Sequence, residues 1–149
     1  MFKLIDEEIP NNLCVAFDVH QPTFRHEMYK EYKGTRKPML PELKQQVPLM
    51  KEMLKALNIK TTELAGFEAD DILGTLSKAG EEQGLEVSVI SGDRDLLQLA
   101  TEHVKIRIPK TKKGKTEIED YNVTQVLEKY SVTPKEFIDV KALMGDSSD

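Results

Sequence analysis

Five consecutive apolar residues, Leu13 to Phe17, run without alternation and stop at Asp18. A strand with one wet face would alternate apolar with polar residues. An unbroken run of this length instead fits a buried strand of a parallel sheet, covered by helices on both sides. Val87 to Ser91 reads as a second such strand, and a third, shorter one is expected near residues 60–64. Between them apolar positions recur every three or four residues. Leu43, Val47, Met50, Leu54 and Leu57 mark one amphipathic helix, and Ala69, Ile72, Leu73, Leu76 and Ala79 another. Pro48 either costs the first helix a backbone hydrogen bond or marks its true start. FKLIDEE, broken at Pro10, reads as the end of a helix, and Asp95 to Ala100 as a brief one. Val104 to Ile108 and Thr116 to Ile118 read as an edge hairpin turning near Gly114. Asn122 is placed to cap one further helix, and Thr133-Pro134-Lys135-Glu136 is a capping-box sequence opening the last, with Phe137, Val140 and Leu143 on it. Strands alternating with helices predict an α/β fold whose central sheet is mainly parallel.

A chain of 149 residues supports one domain with a real core. No apolar stretch approaches the roughly 20 residues of a membrane span, and the N-terminus lacks the basic head and long apolar run of a signal peptide, so a cytoplasmic protein is expected. Cys14, the single cysteine, sits within the apolar run and reads as ordinary packing in a reduced compartment. A net charge of −5 argues against a polyanionic partner only if the charges are mixed. They are segregated: residues 105–115 hold six Lys or Arg and no acid, while acids crowd into short windows elsewhere.

Ligands of open parallel sheets bind beyond the carboxyl ends of the strands. Asp18 follows the first strand directly and Asp93 follows Val87–Ser91 across a glycine, so both should face one crevice. Glu68, Asp70 and Asp71 fall where a helix begins, and Asp95, Asp146 and Asp149 complete three acidic motifs, FEADD, GDRD and GDSSD. Each motif alone has an ordinary explanation, such as acids favouring a helix N-terminus or a turn. Together they would repel one another unless cations sit among them, and hard oxygen ligands suit Mg²⁺ or Mn²⁺. Two such ions about 4 Å apart activate water and stabilise the leaving oxygen in phosphodiester hydrolysis. The segment 21–41 is long, basic and aromatic. Arg25, Lys30, Lys33, Arg36 and Lys37 alternate with Phe24, Tyr29 and Tyr32, a composition able to hold phosphates and stack on bases. His26 is a weaker candidate for a phosphate contact. No zinc-ligand spacing, nucleophile elbow or nucleotide-binding glycine motif is present.

The ordered set AFD, TFRHEMYKEYKGTR, GFEADDILGTL, SGDRDLLQL and ALMGDSSD resembles the 5′-nuclease domain of bacterial DNA polymerase I across nearly the whole chain. The resemblance implies a PIN-like three-layer fold, two Mg²⁺ or Mn²⁺ ions, and removal of 5′ flaps and RNA primers in DNA replication and repair by a monomer fused to a polymerase region. It assigns Asp18, Glu68, Asp70, Asp71, Asp93, Asp95, Asp146 and Asp149 to the metal site. Arg25, Tyr32, Lys33 and Arg36 are assigned to DNA, with Lys33 and Arg36 assisting the reaction, and residues 21–41 form the arch or gateway. Family members begin with a strand carrying Asp-Gly-Asn and continue past GDSSD into a helix-hairpin-helix region. Neither is found here, so the expectation is a single core domain, 1–149, truncated at both ends. Its first strand would be missing, residues 142–149 would begin the truncated region, and its metal site would be short of one aspartate and its activity weak or absent. Two alternatives share some of these features: a receiver-like regulatory module using an acidic pocket, and a PIN-type ribonuclease with the same metal chemistry on RNA.

Overall fold

The computed structural model describes residues 1–112 and 114–145. In chain order the elements are α1 (Phe2–Glu8), β1 (Cys14–Ala16), α2 (Phe24–Met28), α3 (Pro41–Ala56), β2 (Lys60–Thr62), α4 (Ala69–Glu82), β3 (Val87–Ile90), a 3₁₀ helix (Arg94–Leu99), β4 (Val104–Lys112), β5 (Lys115–Tyr121), α5 (Val123–Tyr130) and α6 (Phe137–Met144). The predicted α/β class holds. β1 pairs parallel with β2, Val15 opposite Thr61, and β3 pairs parallel with β4, Val89 opposite Ile106. β4 and β5 form the antiparallel hairpin, longer than expected, with Ile106 opposite Tyr121. The ladders make two sheets, β1-β2 and β3-β4-β5, and among the described residues no strand joins them. Helix α4 lies against both β1 and β3 and so ties the halves together.

The core surrounds the second sheet. Period two along β4 sends Val104, Ile106 and Ile108 to one face, where they are buried with Val89, Leu97, Tyr121, Val126 and Phe137. The opposite face of β4 carries Lys105 and Arg107, and α1 covers it with acids. Glu8 accepts from Arg107 at 2.5 Å, Lys105 at 3.1 Å and the Ser88 hydroxyl at 2.5 Å, while Asp120 takes the remaining edge of Arg107 at 2.8 Å. Gly80 lets α4 approach β3 closely: a Cβ there would stand 2.9 Å from Val87. Asn122 caps α5 as predicted, accepting from the backbone of Thr124 and Gln125, and Thr133 and Glu136 exchange the capping-box bonds that lead into α6. Among the described residues no helix is long and apolar enough to cross a membrane.

The first half departs from the sequence reading. Only the middle of the run Leu13–Phe17 is strand, and Cys14 is exposed rather than packed, because among the described residues β1 has a hydrogen-bonded neighbour on one side alone. Helix α3 passes through Pro48, which is therefore not its start. Of its predicted apolar face Leu54 is buried, but Leu43, Met50 and Leu57 are 51%, 43% and 43% exposed. The reason is dimensional. Sixteen helical residues extend about 24 Å, whereas the three residues of β2 span about 10 Å, so the sheet cannot cover the helix. The segment 21–41 also holds a short helix, α2, that no period announced.

Candidate functional site

The acids gather where the first sheet ends and α4 begins. After β1 the Phe17 amide donates to Thr62, and the chain then delivers Asp18, whose Oδ1 accepts from the Ala69 amide at 2.7 Å. That bond satisfies a free amide at the start of α4 and brings a strand-end carboxylate to a helix N-terminus. Glu68 is the N-cap of α4. Its own amide donates to Asp71 Oδ2 at 2.9 Å, one arm of a capping box. Across the crevice, the Asp93 carboxylate caps the 3₁₀ helix by accepting from the Asp95 amide at 2.8 Å.

Asp70 lies between these groups and is half-buried. Its pKa is pushed up to about 6, chiefly by burial and then by the negative charges of Asp93, Asp18 and Glu68, with Lys33 opposing. These carboxylates sense one another through space without converging: among the described residues no three His, Cys, Asp or Glu side chains are placed to hold one ion. Coulombic influence reaches farther than a metal–oxygen bond, so both observations stand. In kind, hard oxygen donors with surplus negative charge fit a divalent cation. In placement, several of the donors are already engaged.

The engagement comes from the basic segment. Arg25, on α2, grips Asp71 with both ends of its guanidinium, at 2.8 and 2.7 Å. It also lies 3.8 Å from Glu68. The Lys33 ammonium donates to Glu68 Oε1 at 2.8 Å and the Tyr32 hydroxyl to Oε2 at 3.2 Å. Arg25 hydrogen bonding holds the Asp71 carboxyl below the usual carboxylate range; burial and the Glu68 charge raise the Tyr32 phenol. Lys33 sits at φ 55°, in the left-handed region that non-glycine residues seldom enter, and Arg36 follows in the next turn, its amide donating to Lys33 at 3.1 Å. The Asp95 carboxylate is paired with Lys141 of α6 at 2.9 Å. Asp146 and Asp149 lie outside the described residues.

His26 has a structural task. Its Nδ1 accepts from the Thr23 amide at 3.1 Å, completing the cap of α2, and its ring meets Tyr32 edge-on at 5.3 Å. Thr23 is buried beneath it. The usual capping-box sequence has Glu or Gln in the place of His26, so this cap carried no recognisable signal. Lys141 was equally invisible, because its bond to Asp95 joins residues far apart in the chain. Lys30 and Lys37 are exposed, and Tyr29 turns outward to Glu31.

Residues 1–131 match the model of the 5′-3′ exonuclease, N-terminal resolvase-like domain. The DNA polymerase I of Bacillus caldotenax is 53% identical over 147 residues, covering 99% of this chain and 16% of that relative. The chain thus spans about one sixth of the length of this curated relative. A bacteriophage T5 protein co-crystallised with metal ions superposes with a TM-score of 0.77 at 27% identity, over 99% of this chain and 57% of its own. The bacteriophage T5 flap endonuclease in a complex with DNA and metal ions superposes with a TM-score of 0.75 at 26% identity, over 99% and 56%.

Proposed function

The chain belongs to the family of 5′-3′ exonuclease N-terminal resolvase-like domains, and on that premise we propose that residues 1–149 form the nuclease core of a divalent-metal-dependent 5′-nuclease that hydrolyses DNA phosphodiesters at 5′ ends and 5′ flaps, RNA primers included. The observation carrying this reading is Asp70, a half-buried carboxyl raised to about 6 by burial and then by the acids around it, with Lys33 and Arg25 on neighbouring acids. A crevice that concentrates negative charge beside cations suits a substrate whose phosphates arrive with metal ions.

In this reading Asp18, Glu68, Asp70 and Asp93 hold the Mg²⁺ or Mn²⁺, with Asp95, Asp146 and Asp149 as further members of the set. When bound, such ions lower the pKa of the attacking water and stabilise the departing oxygen. The segment 21–41 serves as the gateway. Arg25, Lys33 and Arg36 attract and orient the backbone phosphates, the Tyr32 ring offers a stacking surface to an unpaired base, and the Lys33 ammonium neutralises charge developing on the scissile phosphate. The receiver-like alternative places its paired acids after a strand; here Asp70 and Asp71 stand in the first turn of α4.

Incubation with end-labelled 5′-flap DNA tests the proposal, with Mn²⁺, with chelator, and with an RNA of the same sequence. Product that forms on the flap with Mn²⁺ and disappears with chelator supports it. Failure of a chain extended at both ends to bind or cut flap DNA, or a preference for the RNA alone, overturns it, the latter in favour of a ribonuclease.

A further inference from the structure

We infer that Asp71 is a positioning residue that anchors Arg25, and through it the segment carrying Tyr32 and Lys33, rather than an ion ligand; the inference rests on the nuclease reading above. Both Asp71 oxygens are committed. Oδ1 accepts from Arg25 Nη2 at 2.7 Å, and Oδ2 accepts from Arg25 Nη1 at 2.8 Å and from the Glu68 amide at 2.9 Å. A fork-to-fork guanidinium pair is the geometry in which arginine orients most strongly; an ion taken by Oδ2, which already accepts two bonds, would break it, and one taken by Oδ1 would have to sit beside the guanidinium charge.

Asp70, one residue earlier, has other surroundings: it is half-buried and the charges of Asp93, Asp18 and Glu68 act on it, with Lys33 opposing. The adjacent acids therefore divide the labour. One belongs to the acidic crevice and the other to the frame around it. Arg25 transmits the anchoring in two ways. Its guanidinium lies over the Phe24 ring, 4.5 Å from the centroid, and Phe24 in turn packs on Phe67 at 5.8 Å, just before α4. The Phe24 amide donates to Gly66 at 3.1 Å. Helix α2 is thus fastened to the start of α4 by a backbone bond, a ring pair and the Asp71 fork. From α2 the chain turns through Tyr32 and Lys33, whose tips both end on Glu68. Releasing the fork should loosen this whole arm while leaving the crevice acids in place.

Asp71→Asn isolates the point, since an amide oxygen still accepts from the Glu68 amide while the charge opposite Arg25 is gone. The test combines Mn²⁺ binding by calorimetry, mass-mapped trypsin cleavage after Lys30 and Lys33, and a double-mutant cycle with Arg25→Gln. Asp71→Asn should weaken Mn²⁺ binding by no more than about fivefold, the effect of one charge removed nearby, and by clearly less than Asp70→Asn, which removes a carboxylate of the acidic crevice itself. Cleavage of the arm should quicken several-fold in Asp71→Asn, in Arg25→Gln and in the double variant alike, because the second substitution has nothing left to break. Loss of Mn²⁺ binding in Asp71→Asn equal to that in Asp70→Asn, or additive effects of the two substitutions on cleavage, overturns the inference. If the unsubstituted chain binds no Mn²⁺, the nuclease reading falls, and the cleavage cycle still decides whether Asp71 anchors the arm.

Discussion

The two halves of the molecule solve the problem of burial differently. Around β3, β4 and β5 ten buried side chains form one continuous cluster, from Val89 to Phe137. Before Val87 the buried apolar side chains among the described residues are Leu54 and Ile72. Yet the charged crevice is built mostly from the poorly buried half, with Asp18, Arg25, Lys33, Glu68, Asp70 and Asp71 all preceding β3 and, among the described residues, Asp93 reaching across from the other side. The packed half supplies stability. The other half carries close carboxylates, Asp71 and Glu68 among them held by ion pairs to Arg25 and Lys33 rather than by a core.

The largest expected effect falls in the packed half. Ile106 is fully buried at the centre of β4, so Ile106→Ala should cost about 3–4 kcal/mol in urea-induced unfolding. Leu54→Ala, in the thinner half, should cost about 2–3 kcal/mol, because surrounding side chains there can relax toward solvent. Equal costs would show that the halves are packed alike.

Asp70→Asn should instead stabilise the metal-free chain. A folded pKa of about 6 against an unfolded value near 3.8 means that the native state binds the proton more tightly, so stability from this group falls as pH rises through that window. Two pKa units correspond to about 3 kcal/mol, and partial exposure reduces the expected gain to roughly 1–2 kcal/mol near neutral pH. The gain should vanish below about pH 3, where Asp70 is protonated in both states. A substitution that destabilises near neutral pH would mean that Asp70 is not under repulsion. Asp71 has the opposite sign. Its lowered pKa contributes stability above the unfolded value that is lost as pH falls through the folded one, so protection of the 21–41 segment against protease should weaken in acid.

The smallest effect is expected at Leu43. It belongs to the apolar stripe of α3 but is 51% exposed, and Leu43→Ala should change thermal stability by less than about 0.5 kcal/mol. A larger loss would show that this face is covered in solution.

Much of the framework could be read along the chain. Leu13–Phe17 and Val87–Ser91 contain strands, the β4–β5 hairpin turns where the Gly114 signal stands, and the Asn122 and Thr133–Glu136 caps make the predicted bonds. Those features obey short-range rules, in which a few neighbouring residues set the backbone. The acids, too, were locatable at strand ends and a helix start. What could not be read was the exposure of Cys14 and of the α3 stripe, since a periodic pattern says which face is apolar and not how wide a surface will meet it.

Sequence by itself therefore determined the alternation of strands and helices, the segregation of charge and the positions of the acidic motifs. Tertiary structure decided which of the acids are engaged. Arg25 and Asp71 are 46 residues apart and Lys33 and Glu68 are 35 apart, and their pairing depends on α2 docking against the start of α4. Adjacent residues on a helix point about 100° apart, so Asp70 and Asp71, indistinguishable as letters, enter different surroundings: one a half-buried crevice of like charges, the other the fork of a guanidinium.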